Sequence, residues 1–219
     1  MSKTIVIAID GPAASGKGTL AERLAAHLGY AHLDTGLLYR AVALRLLRGR
    51  RDPNDETAAA AAAADVSWLD LDDADLRQEE TSRAAGIVAA HPRVRAALIG
   101  LQRSFATSPP AGVEGVVIDG RDIGTVICPD ASYKIFVEAS PEVRAERRLK
   151  ELEARGEGSI HSRVLRDLKE RDARDRTRAV APLVPAPDAL ILDTSALDAD
   201  AAFAAALAFI ASRNASGAS

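Results

Sequence analysis

Residues 11 to 18 read GPAASGKG, which is the spacing GxxxxGK, and Thr19 follows. Glycines in such a loop let backbone N–H groups turn inward around phosphate oxygens. The start of the next helix adds partial positive charge, and a lysine reaches along the β- and γ-phosphates of a nucleotide. Gly11, Pro12, Ala13, Ala14, Ser15, Gly16, Lys17, Gly18 and Thr19 are therefore candidate triphosphate ligands. Gly18 occupies the position that usually carries a hydroxyl, so Thr19 is the candidate for the hydroxyl near a Mg²⁺ ion, directly or through water. A GTPase would carry an NKxD stretch to read its base, and the chain has none; it is also short for a motor. What remains is a kinase for a small acceptor, and that requires an acceptor site elsewhere in the chain.

Three stretches supply candidates. HLDTGLLYR, residues 32 to 40, sets Asp34, Thr35 and Gly36 at a helix start with Tyr39 and Arg40 close behind, the makings of an anion site. VVIDGRDIGTVICPDA, residues 116 to 131, ends an apolar strand in DGRD, so that Arg121 and Asp122 project into a cleft rather than the core. KERDARDRTRAVAP, residues 169 to 182, carries Arg171, Arg174 and Arg178 at i, i+3 and i+7 on one helical face, with Asp175 beside Arg171 and Arg178. Guanidinium forks suit the several oxygens over which charge spreads in phosphoryl transfer, and a mobile helix pair closing over the phosphates would exclude water.

The elements that must position these residues follow from hydrophobic pattern. TIVIAID (4–10), GVVID (115–119), YKIFVEA (133–139) and ALILD (189–193) are apolar without alternation, the pattern of strands buried on both faces of a parallel sheet. Helical patterns cover 17–28, 35–49, roughly 75–106 with a break at Pro92, 141–155, about 160–178 and 199–213. Alternation of the two predicts an α/β protein with helices on both faces of the sheet and ligands outside the strands' carboxyl ends. Residues 52–80 differ: seven consecutive alanines (58–64) precede VSWLDLDDADL, an acidic stretch with a short strand-like apolar core, and together they suggest a small insertion. The tail NASGAS, 214–219, is expected to fray.

At 219 residues the chain can bury one substantial core, and a single domain with insertions is the default. Lys and Arg number 28 against 31 Asp and Glu, a net charge of −3 that argues against a nucleic-acid or anionic-membrane binder. The one cysteine, Cys128, excludes an intrachain disulfide framework and suits a reducing cytosol. The N-terminal apolar run is too short for a secretory or membrane segment, so a cytoplasmic protein is expected. His27, His32, His91 and His161 are scattered in sequence and receive no metal or acid/base role.

GPAASGKGT, LDTGLLYR, HPRVR, DGRDIGTVICPDA, KIFVEAS and KERDARDRTRAVAPLVPA, in this order and spacing, resemble the bacterial cytidylate kinases, nucleoside monophosphate kinases that phosphorylate CMP and dCMP with ATP. The likeness runs from about residue 4 to 195. It implies a three-layer P-loop kinase fold, a parallel β-sheet flanked by helices, forming one domain over 1–219 with a monophosphate-binding insertion (35–106) and a short lid with flanking helices (155–178). By the same resemblance ATP lies on residues 11–19, with Mg²⁺, and Lys17, Arg121 and Arg178 are catalytic. Arg40, Arg121 and Arg178 bind the acceptor α-phosphate, with Thr35 and Tyr39 nearby; Arg171 and Asp175 bind the pentose hydroxyls, and Arg95 and Asp122 the base. Cytosine offers an amino donor suited to a carboxylate beside acceptors suited to a guanidinium, whereas uracil reverses that pattern. ATP and CMP or dCMP are the implied partners, with neither nucleic acid nor membrane, and a monomer is expected. Two departures stand out: Gly86 replaces a base-reading serine that the family often has, and the acceptor-lobe insertion is short.

Overall fold

A computed structural model describes residues 4–217. In chain order the elements begin with β1 (Ile5–Asp10), α1 (Lys17–Leu28) and β2 (Ala31–Asp34), followed by α2 (Thr35–Arg48), α3 (Glu56–Ala64), α4 (Glu79–Val88) and α5 (Pro92–Thr107). Then come β3 (Gly115–Gly120), β4 (Tyr133–Glu138), α6 (Pro141–Ala154), α7 (His161–Thr177), β5 (Leu190–Asp193) and α8 (Ala199–Gly217). They form two compact units: one comprises the chain up to Leu33 and from Pro109 onward, the other Asp34–Ser108.

The first unit is built on a five-stranded sheet of order β2-β3-β1-β4-β5, and the β1–β3, β1–β4 and β4–β5 pairs are parallel. Later strands are laid on both sides of β1, so the strand order switches there, the place where such sheets open a crevice at their carboxyl ends. Ile7, Ile9, Val117, Ile135 and Val137 bury the sheet against Leu20 and Leu24 of α1 and against Ala202, Ala206 and Ile210 of α8, a stripe at four-residue steps. β2 is a fifth strand beyond the four that hydrophobic pattern predicts. Its four residues, AHLD, are too short and too polar to register as an apolar run. At the other end, α8 continues through the expected frayed tail to Gly217; Ala218 and Ser219 lie outside the described residues.

The second unit is helical. Leu38, Val42 and Leu46 of α2 pack with Ala84, Ala85 and Val88 of α4 and with Val94 and Leu98 of α5. The alanine run forms α3, capped by the Asp55 carboxylate, which accepts from Ala58 N. Ala59 and Ala63, one turn apart, are buried in the same cluster, where small side chains let the backbones approach. Pro92 is the first residue of α5, where a missing N–H costs nothing.

The acidic stretch predicted to hold a short strand instead makes two 3₁₀ turns, Trp68–Asp72 and Ala74–Arg77. Side-chain capping competes with strand formation here: Asp70 accepts from Ser67 N and Asp73 from Asp75 N. Arginines of α2 then clamp the turns, Arg45 to Asp70 at 2.9 Å and Arg48 to Asp73 and Asp75 at 2.6 and 2.7 Å. Burial alone would raise the Asp70 carboxyl, but Ser67 and Arg45 outweigh it, and Arg48 lowers Asp73; both lie below the ordinary aspartate value. A depressed folded-state pKa supplies stability that is present above the unfolded value and lost as pH falls through the folded one. Protection factors for amide exchange over residues 67–78 should therefore fall below about pH 4 while α2 and α4 stay protected. Uniform protection of residues 67–78 down to about pH 2.5 would remove the arginine clamps as the cause.

Candidate active site

β1 runs straight into the glycine-rich loop. Gly11 has φ 154°, and a Cβ there would fall 2.1 Å from the Val137 carbonyl oxygen of β4, so only glycine fits. Gly16, at φ 90°, caps α1 and turns the loop into the helix. Ala14 holds φ 59°, a left-handed conformation costing an alanine about 1 kcal/mol or more. Carbonyls in this loop would repel an anion, and two of them are taken up by α6 and by the segment after β5. The Ala13 oxygen accepts from Arg144 at 3.2 Å, and the Ser15 oxygen from Arg147 at 3.2 Å and from Thr194 Oγ1 at 2.9 Å. The Ser15 hydroxyl is fully buried with no hydrogen-bond partner among the described residues, a polar atom ready for a ligand.

Lys17 Nζ lies 3.8 Å from Asp119 Oδ2, and His32 Nε2 lies 2.9 Å from Asp119 Oδ1. Asp119 is buried at the carboxyl end of β3 beside the loop lysine. Its proximity to Lys17 follows from the β1–β3 register, and His32 comes from β2, the strand that pattern reading misses. Beside the loop opens a cavity of about 270 Å³ whose lining includes Gly16, Thr19, Val137, Arg147, Leu197 and Asp198. Arg147 frames it, donating also to Thr194 O at 2.7 Å and Leu197 O at 3.3 Å.

The DGRD stretch continues from β3 into a single π-helical turn, Ile123–Ile127, closed by Ile127 N to Asp122 O and Cys128 N to Ile123 O. Such turns are uncommon and re-aim side chains at their ends. Asp10, the last residue of β1, holds this one: its two carboxylate oxygens accept from Ile123 N and Gly124 N, both at 2.8 Å. Burial dominates the Asp10 environment and pushes its pKa up to about 6, against the pull of those two N–H donors. Asp122 adds to the rise and Arg121 opposes it.

Arg121, Arg171 and Arg178 surround Asp175. Arg121 Nε donates to Asp175 Oδ2 at 3.0 Å, and Arg178 Nη1 lies 4.0 Å from Oδ1. Burial would raise the Asp175 carboxyl, but the charges of Arg121, Arg171 and Arg178 together hold it below the ordinary range. Arg178 also reaches Asp122 Oδ1 at 3.5 Å and donates to the Ala181 carbonyl. The shared helical face expected for Arg171, Arg174 and Arg178 is not what forms: α7 stops at Thr177, and Arg178 sits just beyond it in extended backbone. Asp175 draws Arg178 inward while Arg174 and Arg176 stay exposed.

In the helical unit, Asp34 caps α2 by accepting from Gly36 N at 2.8 Å, which starts the helix at the buried Thr35. Arg40 donates to Leu76 O at 3.0 Å and Ser82 Oγ at 2.8 Å. The Arg95 guanidinium, only 7% exposed, stands 5.6 Å from the Tyr39 ring centroid. Ser82, one turn before Gly86 on α4, has its hydroxyl committed to Arg40 and to Gln78 O. Asp10, Arg144, Arg147 and Thr194 carry no recognisable motif in sequence, and within HLDTGLLYR and DGRD no spacing singles out His32 or Asp119. Only the aspartates at strand ends give a signal, since the carboxyl ends of β1 and β3 must face the same crevice.

A glycine-rich phosphate loop between β1 and α1, on a parallel sheet and with an arginine cluster built on the same unit, defines a P-loop kinase. The cytidylate kinase family profile matches residues 7–212, and the chain belongs to that family. A cytidylate kinase of Paramagnetospirillum magneticum is 61% identical over 208 residues, 95% of this chain and 98% of the relative. One from Rhodospirillum rubrum is 56% identical over 210 residues, covering 96% and 99%. The fold is shared with an uncharacterised protein of Eubacterium ventriosum, TM-score 0.56 at 17% identity, covering 95% of this chain and 99% of that one.

A carboxyl raised from 3.8 to about 6 stabilises the fold fully below the unfolded value and loses that contribution as pH rises through the folded one. Ionised Asp10 thus carries a burden on the order of 3 kcal/mol at neutral pH. Urea denaturation of the protein and of Asp10→Asn should show the wild type gaining on the variant between pH 7 and pH 5. A difference that does not change with pH would mean that the Asp10 carboxyl titrates near its ordinary value.

Proposed function

We propose that the chain transfers the γ-phosphoryl group of ATP to CMP or dCMP, giving ADP and CDP or dCDP. The observation that carries this reading is the arginine cluster around Asp175, built on the same unit as the loop that bears Lys17. The loop N–H groups and Lys17 bind the donor's β- and γ-phosphates. The neighbouring cavity suits the rest of the nucleotide, with Leu20, Val137 and Leu197 offering apolar walls and Arg147 and Asp198 polar ones.

Roles at the acceptor follow the family resemblance residue by residue. On the sheet unit, Arg121 and Arg178 bind the α-phosphate, Arg171 and Asp175 the pentose and Asp122 the base. On the helical unit, Arg40 binds phosphate with Thr35 and Tyr39 beside it, and Arg95 reads the base. Arg40, Arg95, Arg121 and Arg178 each have a carboxylate, hydroxyl or carbonyl acceptor that orients them before substrate arrives. The acceptor phosphate is already anionic, so no strong general base is needed; catalysis is positioning and charge neutralisation.

Mg²⁺ fits the residues present. It prefers a few hard oxygen ligands and shares the remainder with phosphates and water, and Thr19, Asp119 and the partnerless Ser15 hydroxyl are such oxygens near Lys17. Thr19 and Asp119 would hold it, and it would supply positive charge against the phosphate oxygens. Among the described residues no helix is long and apolar enough to cross a membrane, and the lone, half-buried Cys128 suits a reducing compartment. The single cysteine favours a cytoplasmic reading, and a monomer is the expectation carried over from the family resemblance.

A panel of CMP, dCMP, UMP and AMP with MgATP should show turnover highest with the cytidine nucleotides; equal turnover of UMP would remove the base-reading assignment. Arg178→Ala should lower kcat about 10²- to 10³-fold, as loss of a transition-state donor does, and a change under about threefold would exclude its catalytic role. In competition assays Asp122→Ala should narrow the preference for CMP over UMP, because the carboxylate that accepts from the cytosine amino group is gone.

A further inference from the structure

We propose that Arg144 is a positioning residue for phosphoryl transfer, bolting the phosphate loop to α7 so that loop and arginine-bearing helix keep one register; this rests on the kinase reading above. Arg144 is the largest of the fully buried side chains described, 2% exposed, and no motif points to it. From α6 its guanidinium spends every edge on fixed partners. Nε donates to Ala139 O at 3.0 Å, Nη1 to Ala13 O at 3.2 Å and to Asp172 Oδ1 at 3.1 Å, and Nη2 to Asp172 Oδ2 at 2.5 Å. Asp172, 7% exposed, is on α7, next to Arg171 and three residues before Asp175. The path is short: a carbonyl of the phosphate loop, one guanidinium, one carboxylate, then the helix whose Asp175 holds Arg121.

Stability alone is a poor account of this pair. A buried salt bridge regains little more than its desolvation cost and can be exchanged for apolar side chains without loss. The α6–α7 hairpin already has such contacts: Ala145, Leu152, Val164 and Leu168 form a cluster against which Ala13, Leu149 and Leu165 pack. Apolar contacts are non-directional and tolerate sliding. A slip of one residue along a helix moves its side chains about 1.5 Å and turns them about 100°, which would carry Asp175 away from Arg121. A bidentate guanidinium with a third bond to the loop forbids that slip.

The test uses the full chain as Arg144→Lys and as the charge-free double variant Arg144→Met/Asp172→Leu. The measurements are urea denaturation, kcat and KM for CMP and ATP, and hydrogen exchange of α7 amides. In the double variant the denaturation midpoint should stay near that of the wild type while kcat falls about 10- to 100-fold, the cost of a displacement near 1 Å. KM for ATP should change less than about threefold, and exchange over 164–176 should rise with α1 unchanged. Arg144→Lys keeps the charge but cannot span all four acceptors, and should lose about tenfold in kcat at wild-type stability. Wild-type kcat in either variant overturns the proposal, as does unchanged α7 exchange. If the double variant does not fold, Arg144→Lys decides on the same readouts. A wild-type protein that turns over no nucleotide refutes the kinase reading instead, and α7 exchange then still decides whether Arg144 sets the register.

Discussion

An arginine in a partly dry crevice must be held by acceptors, and this protein meets that constraint by giving its arginines carboxylates and carbonyls as partners. Arg121 rests on Asp175, Arg178 on Asp122 and the Ala181 carbonyl, and Arg40 on Leu76 O and Ser82. Arg147 and Arg144 rest on the loop itself, through the Ser15 and Ala13 carbonyls. The partners keep each fork rigid in a partly dry setting, where an unpaired charge would be costly. Charges oriented in advance need little reorganisation as the reaction proceeds, which is the main contribution available to an enzyme whose nucleophile is already an anion.

The same requirement explains the carboxyl ends of the central strands. β1 and β3 are paired in parallel, with Asp10 opposite Gly120 and Asp119 one step before it, so two buried aspartates stand at the same edge of the sheet. They perform different work. Asp119 answers Lys17 and His32, whereas Asp10 spends its charge on two backbone N–H groups and so shapes the π-helical turn beyond DGRD. The latter is costly, as the upward push on its pKa shows, and what it secures is the aim of Arg121 and Asp122.

How much of this was legible in the chain varies with the range over which the signal acts. The phosphate loop, the apolar strands and the helix starting at Thr35 are local: glycine spacing, β-branched runs and an Asx cap each declare themselves within a few residues. β2 escaped because AHLD is short and carries two polar residues, although it supplies His32 to Asp119. SWLDLDDADL suggested a strand, but its aspartates were satisfied by local caps and by arginines on α2 some 25 residues away, and 3₁₀ turns resulted. The i, i+3, i+7 spacing of Arg171, Arg174 and Arg178 suggested one face, until the pull of Asp175 and Asp122 on Arg178 ended the helix first.

By itself the sequence determined the class of chemistry and the family, because a phosphate loop and the arginine motifs are contiguous stretches whose residue types follow from what they bind. Tertiary structure alone decided how those groups are held. The partners of Lys17, of Arg121 and of the loop carbonyls lie some 50 to 180 residues away along the chain. Such pairings are set by strand order and helix packing, and no local spacing encodes them. Arg144 shows the difference: in SPEVRAERR no motif marks it, and only the fold buries it between the phosphate loop and Asp172.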